Sequence, residues 1–141
     1  DNEFIIDACA GAGGKSLQLS NMIHNTGKIL ALDIYEYKLS ALQKRAKRNR
    51  ANNIQTQIVN EDSFQTWKEK ADVLVLDVPC SGLGVLKRKP DNKWKMNPER
   101  IEEIKVLQSK ILNNYSTMLK PGGQMLYITC TIRHDENQEQ I

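Results

Sequence analysis

Short apolar runs alternate with stretches of helical periodicity along this chain, a pattern that predicts a parallel α/β sheet. Phe4-Ile5-Ile6-Asp7-Ala8 reads as a buried strand and Gly11 to Lys15 as a tight turn. A helix is predicted from about Ser16 to Asn25, closed by Gly27, and a second strand over 28–33. Leu39, Leu42 and Ala46 recur at helical spacing, so a second helix covers about 35–50. Ile54, Thr56 and Ile58 alternate with glutamines, as expected of a strand at a sheet edge. Val73-Leu74-Val75-Leu76 is continuously apolar, which suits a central strand. Asn97-Pro98-Glu99 opens a helix with an N-cap, a proline at the first helical position and an acid at the positive dipole end. Ile101, Ile104, Leu107, Ile111, Tyr115 and Met118 carry its apolar stripe to a stop at Pro121-Gly122-Gly123. A fifth strand is expected over 124–129, and Asp135-Glu136-Asn137 reads as the opening of another helix. The order of elements suggests a catalytic-core fragment, residues 1–141, of a longer chain.

Composition narrows the class. With 141 residues, 40% hydrophobic and 26% charged, the chain can bury the core of one domain and is not a disordered segment. No apolar run approaches the roughly 20 residues of a membrane span, and no basic-then-apolar leader is visible, so neither a membrane protein nor a secreted precursor is expected. The net charge of +3 is compatible with a polyanionic partner without demanding one. Cys9, Cys80 and Cys130 contain no CxxC pair, which argues against a disulfide framework or a zinc knuckle. His24 and His134 are isolated, so no metal site is expected, and a cytoplasmic location fits the free thiols.

The segment Asp7-Ala8-Cys9-Ala10-Gly11-Ala12-Gly13-Gly14-Lys15 lies between a predicted strand and helix. Glycines there let the backbone approach a ligand and aim amides at it from a helix N-terminus. The spacing is neither GxGxxG nor a Walker P-loop. Asp33 ends the second strand, where an acid can accept both hydroxyls of a ribose. Asp62, beyond the third strand, could hold an adenine amine. These residues describe an adenosine cradle for NAD or S-adenosylmethionine. The missing pyrophosphate turn favours S-adenosylmethionine. The plainer alternative is that the acids are caps and turn formers.

Cys80 and Cys130 each follow a predicted strand that should lie beside the other, so both thiols should emerge at one carboxyl-end rim, beside the nucleotide. A thiolate added to carbon 6 of a cytosine would make carbon 5 nucleophilic enough to take a methyl group, and sulfur can leave afterwards. Pro79 should stiffen the turn presenting Cys80, and Gly82 should let the chain bend away. Cys9 reads as a small buried residue, because backbone amides do the binding in such turns.

The stretch 7–15, Asp33, Asp62, Asp-Val-Pro-Cys-Ser-Gly at 77–82, and Thr129-Cys130-Thr131 with Glu136-Asn137 behind it span nearly the whole chain. Together they resemble the catalytic core of the Nop/Sun (RsmB-type) RNA (cytosine-5) methyltransferases. The resemblance implies a Rossmann-like class I methyltransferase core, with a mostly parallel sheet of about five strands, helices on both faces and the terminal strand hairpin missing. It also implies that Cys130 attacks carbon 6, that Cys80 assists release of the adduct, and that Asp77 binds the base while lying near the methyl donor. Cys9, Ala10, Gly11, Ala12, Gly13, Gly14, Lys15, Asp33, Asp62 and Asp77 would hold S-adenosylmethionine. The chain departs from the family's usual turn, where Gly11-Ala12 replaces Ala-Pro, and has Thr131 where Ser is common. Both changes keep the chemistry the positions need. Ribosomal RNA is the substrate expected from the resemblance, and the oligomeric state is open.

Lys87, Arg88, Lys89, Lys93 and Trp94 follow Cys80 closely and could grip phosphates while the indole stacks on a base. Otherwise Trp94 would pack on the next helix. The Lys44, Arg45, Lys47, Arg48 and Arg50 set reads as a solvated helix face. Two other functions remain open: methylation of a small molecule or protein, which needs no thiol pair, and an RNA- or protein-binding module without turnover.

Overall fold

A computed structural model describes residues 3–141, which divide into two units. The first runs to Leu76 and takes in Tyr115–Leu126; the second comprises Asp77–Asn114 and Tyr127–Ile141. Strands β1 (Phe4–Ala8), β2 (Lys28–Asp33), β3 (Ile54–Ile58), β4 (Ala71–Asp77) and β5 (Leu119–Ile128) lie in the order β3-β2-β1-β4-β5. Pairing is parallel between β1 and β2, β1 and β4, and β2 and β3. Ala71 donates to the Met118 carbonyl and Val78 to that of Ile128, so β5 also advances in step with β4. The fold is thus a five-stranded parallel sheet flanked by helices, and the strand order reverses between β1 and β4, where α/β sheets bind ligands.

In the first unit, Ile5, Ile6, Ile29, Leu30, Leu32, Leu74 and Leu76 are buried, the signature of strands covered on both faces. Helix α2 (Glu36–Arg48) lays Leu42 and Ala46 on Ala31, with Leu17 of α1 (Gly14–Met22) and Ile54 around them. β3 is the edge strand its alternating pattern implied. Helix α1 ends earlier than predicted: His24 and Asn25 turn left-handed at φ 51° and 60°, ahead of Gly27. Asn25 is held there by Ser20 Oγ, which also reaches Asn53 Oδ1 at 2.6 Å. A short helix α3 (Glu61–Thr66), absent from the sequence reading, starts on a reciprocal cap in which Asn60 and Ser63 each bond the other's backbone amide. β5 also differs, running through Pro121-Gly122-Gly123 instead of starting after it. At a sheet edge a proline's missing N–H forfeits no ladder bond, so the motif did not stop the strand.

In the second unit, α4 (Asn92–Lys95) is a single turn and α5 (Pro98–Ser116) a long helix that continues into the first unit. Asn97 caps α5 as predicted, its Oδ1 accepting the Arg100 amide at 2.8 Å. Its apolar stripe is broken in one place: Leu107 is 43% exposed, and Gln108 is fully buried. The expected helix near Asp135 is replaced by two 3-10 turns, His134–Glu136 and Gln138–Gln140. Among the described residues no helix is long and apolar enough to cross a membrane.

Candidate functional site

The Gly-rich turn of the first unit is built around Asp33. Its Oδ2 accepts the Gly11 amide at 2.8 Å and its Oδ1 the Tyr35 amide at 2.9 Å, so one carboxylate ties the turn to the segment after β2. Ala10 donates to the Leu32 carbonyl and Gly13 to that of Ala10. Cys9 and Gly11 both turn left-handed, at φ 64° and 57°. Gly13 has φ 81°, and a Cβ there would come 2.3 Å from Leu42 Cγ, so only glycine fits. At Gly11 and Gly14, by contrast, a Cβ would meet open space. Ser16 Oγ, in the first turn of α1, donates to the buried Asp7 Oδ2 at 2.5 Å and anchors the helix start to β1.

One feature of this turn differs from the sequence reading. Arg45, grouped with a solvated face, donates from Nη1 to the Ala12 carbonyl at 2.6 Å and so braces the turn. Asp62 lies exposed in the first turn of α3. Asp33 spends one lone pair of each oxygen on backbone amides. A carboxylate has about four acceptor positions, so two remain for hydroxyls. The turn therefore fits an adenosine ligand: open space over two glycines, a helix N-terminus and an acid held at the end of β2.

The second unit holds the thiols. β4 ends at Asp77, half-buried, and Val78-Pro79 leads to Cys80 before the chain bends at Gly82, φ 69°. The Cys130 amide donates to Cys80 Sγ at 3.2 Å, and Gly84 donates to the Cys130 carbonyl at 3.0 Å. These bonds bring Cys80 Sγ and Cys130 Sγ to 3.0 Å across 50 residues of sequence. Cys130 is exposed and Cys80 half-buried. Burial pushes the Cys80 thiol up to about 11, helped by its hydrogen bond to Cys130 and opposed by the Cys130 amide. At neutral pH Cys80 therefore keeps its proton and can donate it to the Cys130 sulfur. Beneath the pair, Glu136 is fully buried and bonded to Ser81 and Thr131, the residues following the two cysteines. Glu136 belonged to the motif that carried the family resemblance but was given no role there, and Gln108 did not stand out, because a lone polar position on a helix looks like any surface residue.

Lys87, Arg88 and Lys89 are exposed, and Lys93 and Trp94 lie on α4. Trp94 is 83% exposed with Lys93 Nζ 5.6 Å from its ring centre, so it does not pack on the next helix.

The profile of the 16S rRNA methyltransferase RsmB/F family matches residues 1–141. The chain belongs to this family. Among its RsmB/F relatives is a ribosomal RNA small subunit methyltransferase B of Shewanella oneidensis, 41% identical over 143 residues that make up 99% of this chain and 33% of the relative. That of Vibrio vulnificus is 37% identical over 145 residues, 100% of this chain and 33% of its own. The chain thus spans about a third of the length of the curated relatives it matches. Among solved structures, NSun6 from Pyrococcus horikoshii, determined with SFG, superposes with a TM-score of 0.86 at 28% identity, covering 97% of this chain and 35% of that one. A methyltransferase homologue from the same organism gives 0.82 at 27%, covering 99% and 43%.

Proposed function

We propose that this chain is the catalytic core of a longer enzyme that methylates carbon 5 of a cytosine in small-subunit ribosomal RNA. The observation carrying this reading is the approach of Cys80 Sγ to Cys130 Sγ at 3.0 Å, one thiol exposed and the other half-buried. Methylation of a small molecule or protein has no use for such a pair. The family relatives named as ribosomal RNA small subunit methyltransferases support the substrate, and a ribosomal substrate is in keeping with a cytoplasmic location.

The residues divide the work. The Cys9–Lys15 turn, Asp33 and Asp62 would hold S-adenosylmethionine, of which SFG is an analogue. Bound there, it supplies an electrophilic methyl group on a sulfonium. Cys130 adds to carbon 6 of the cytosine as the thiolate. Asp77 orients the base at its ring nitrogen 3 and amine. When a solvent water takes the proton of methylated carbon 5, the C5–H electron pair restores the C5–C6 double bond and the electron pair of the C6–S bond returns to Cys130, where the departing thiolate is met by the Cys80 S–H. Lys87, Arg88, Lys89 and Lys93 grip phosphates, and the exposed Trp94 stacks on a base. Reaching a base inside folded RNA requires taking it out of its stack.

The full-length protein, given methyl-labelled S-adenosylmethionine and unmodified small-subunit ribosomal RNA, is expected to place the label in 5-methylcytosine, read by mass spectrometry of a nuclease digest. Label on protein or a small molecule, or RNA binding with no transfer, would overturn the reading.

A second expectation concerns the cradle. Asp33→Ala releases the Gly11 and Tyr35 amides, and bonds to a charged acceptor are the strong ones. Calorimetry should show the affinity for S-adenosylmethionine falling about 10- to 100-fold, with RNA affinity unchanged.

A further inference from the structure

Glu136 sits in the second unit where the segments carrying the two thiols meet, and it is fully buried. Its Oε1 accepts the Ser81 amide at 2.8 Å and Gln108 Nε2 at 3.1 Å. Its Oε2 accepts Ser81 Oγ at 2.5 Å and Thr131 Oγ1 at 3.0 Å, with Arg133 Nε 3.9 Å away. Ser81 follows Cys80 and Thr131 follows Cys130, and their hydroxyls also meet each other at 2.9 Å. Gln108 completes the frame from α5 by donating to the carbonyl of Pro79, the residue before Cys80, at 2.9 Å. Cys80 is thus held on both sides and Cys130 on one, all through a single carboxylate and its amide neighbour.

We infer that Glu136, with Gln108, is a positioning residue that sets the spacing of the two thiols. This rests on the proposed thiol chemistry, since the spacing matters only if both sulfurs act on one base. The bonding pattern makes a specific demand. Ser81 and Thr131 hydroxyls can accept as well as donate. A glutamine at position 136 can therefore keep its oxygen on the Ser81 amide and Gln108 while its amide group donates to the two hydroxyls. Alanine keeps none of these bonds.

In the full-length protein, Glu136→Ala should lower kcat about 100-fold, the cost typical of a reacting group displaced by about 1 Å, with KM for RNA and S-adenosylmethionine unchanged. Glu136→Gln should restore kcat to within about threefold, since a good hydrogen-bond network is retained. A second readout is independent of catalysis. Phenylarsine oxide bridges two thiols only when they lie together, and its addition with loss of water is visible by mass. Wild type and Glu136→Gln should form the bridge quickly and Glu136→Ala slowly, with Cys130→Ala as the control for which thiols are used. Unchanged kcat and bridging in Glu136→Ala overturns the inference. So does a Glu136→Gln variant as impaired as the alanine, which would mean that charge, not placement, is what matters. If Glu136→Ala does not fold, Gln108→Leu carries the test: slower bridging and turnover support the clasp, wild-type values refute it. Turnover surviving in Cys130→Ala would instead refute the thiol chemistry, while the bridging readout would still judge the clasp.

Discussion

Replacing Cys130 by alanine in the full-length protein is expected to lower turnover by a factor of about 10⁴ or more, the scale of losing a covalent nucleophile. Without the thiolate, carbon 5 of cytosine has no electron density to offer a sulfonium methyl group, and no other residue of the second unit can replace an exposed sulfur. S-adenosylmethionine affinity should be unchanged, because Cys130 is none of the residues proposed to hold it. Release of the methylated RNA from the wild type should slow near pH 11, where Cys80 gives up its proton, as read by single-turnover kinetics across pH. Turnover surviving in Cys130→Ala would move the protein to another class of methyltransferase.

The second large effect is opposite in character. Cys80→Ala should leave attack intact and block release, so that RNA accumulates on the protein through Cys130. The Cys80 sulfur lies 3.0 Å from the sulfur that must depart and holds its proton throughout the neutral range. Removing it strands the departing thiolate without a hydrogen-bond donor. A shifted, nuclease-sensitive band on a denaturing gel is the expected result, absent from the Cys80→Ala Cys130→Ala double variant. A Cys80→Ala protein that releases product at the wild-type rate and shows no band would reverse the assignment of the two cysteines.

Much of this arrangement is written in the chain's local pattern. Continuous apolar runs fixed the strands β1, β2 and β4, because a strand covered on both faces has no polar position to spare. Gln55 and Gln57 marked β3 as an edge, and Asn97-Pro98 marked the start of α5, through a side-chain oxygen and a preset φ that act within one turn. The glycines of the 11–14 turn signalled a backbone that must turn left-handed under Leu42. These features depend on neighbours a few residues away, so one sequence suffices to read them.

What the chain did not disclose are the places where distant polar groups decide the outcome. Leu107 belongs to the apolar stripe by periodicity, yet Gln108 is buried in its stead, because the Pro79 carbonyl and Glu136 lie there to accept from its Nε2. Arg45 looked like one cation among five until the Ala12 carbonyl came within reach. Asn60 and Ser63 started α3 by bonding one another, and Pro121 was tolerated because β5 lies at an edge. The sequence by itself determined which segments are strands, which turn could cradle a nucleotide and which residue types could do thiol chemistry. Only the tertiary structure decided that Cys80 and Cys130 touch and that Glu136 holds their neighbours. The reason is physical: apolar burial is roughly additive along a chain, whereas a buried polar group is stable only where its particular partner arrives from elsewhere in the fold.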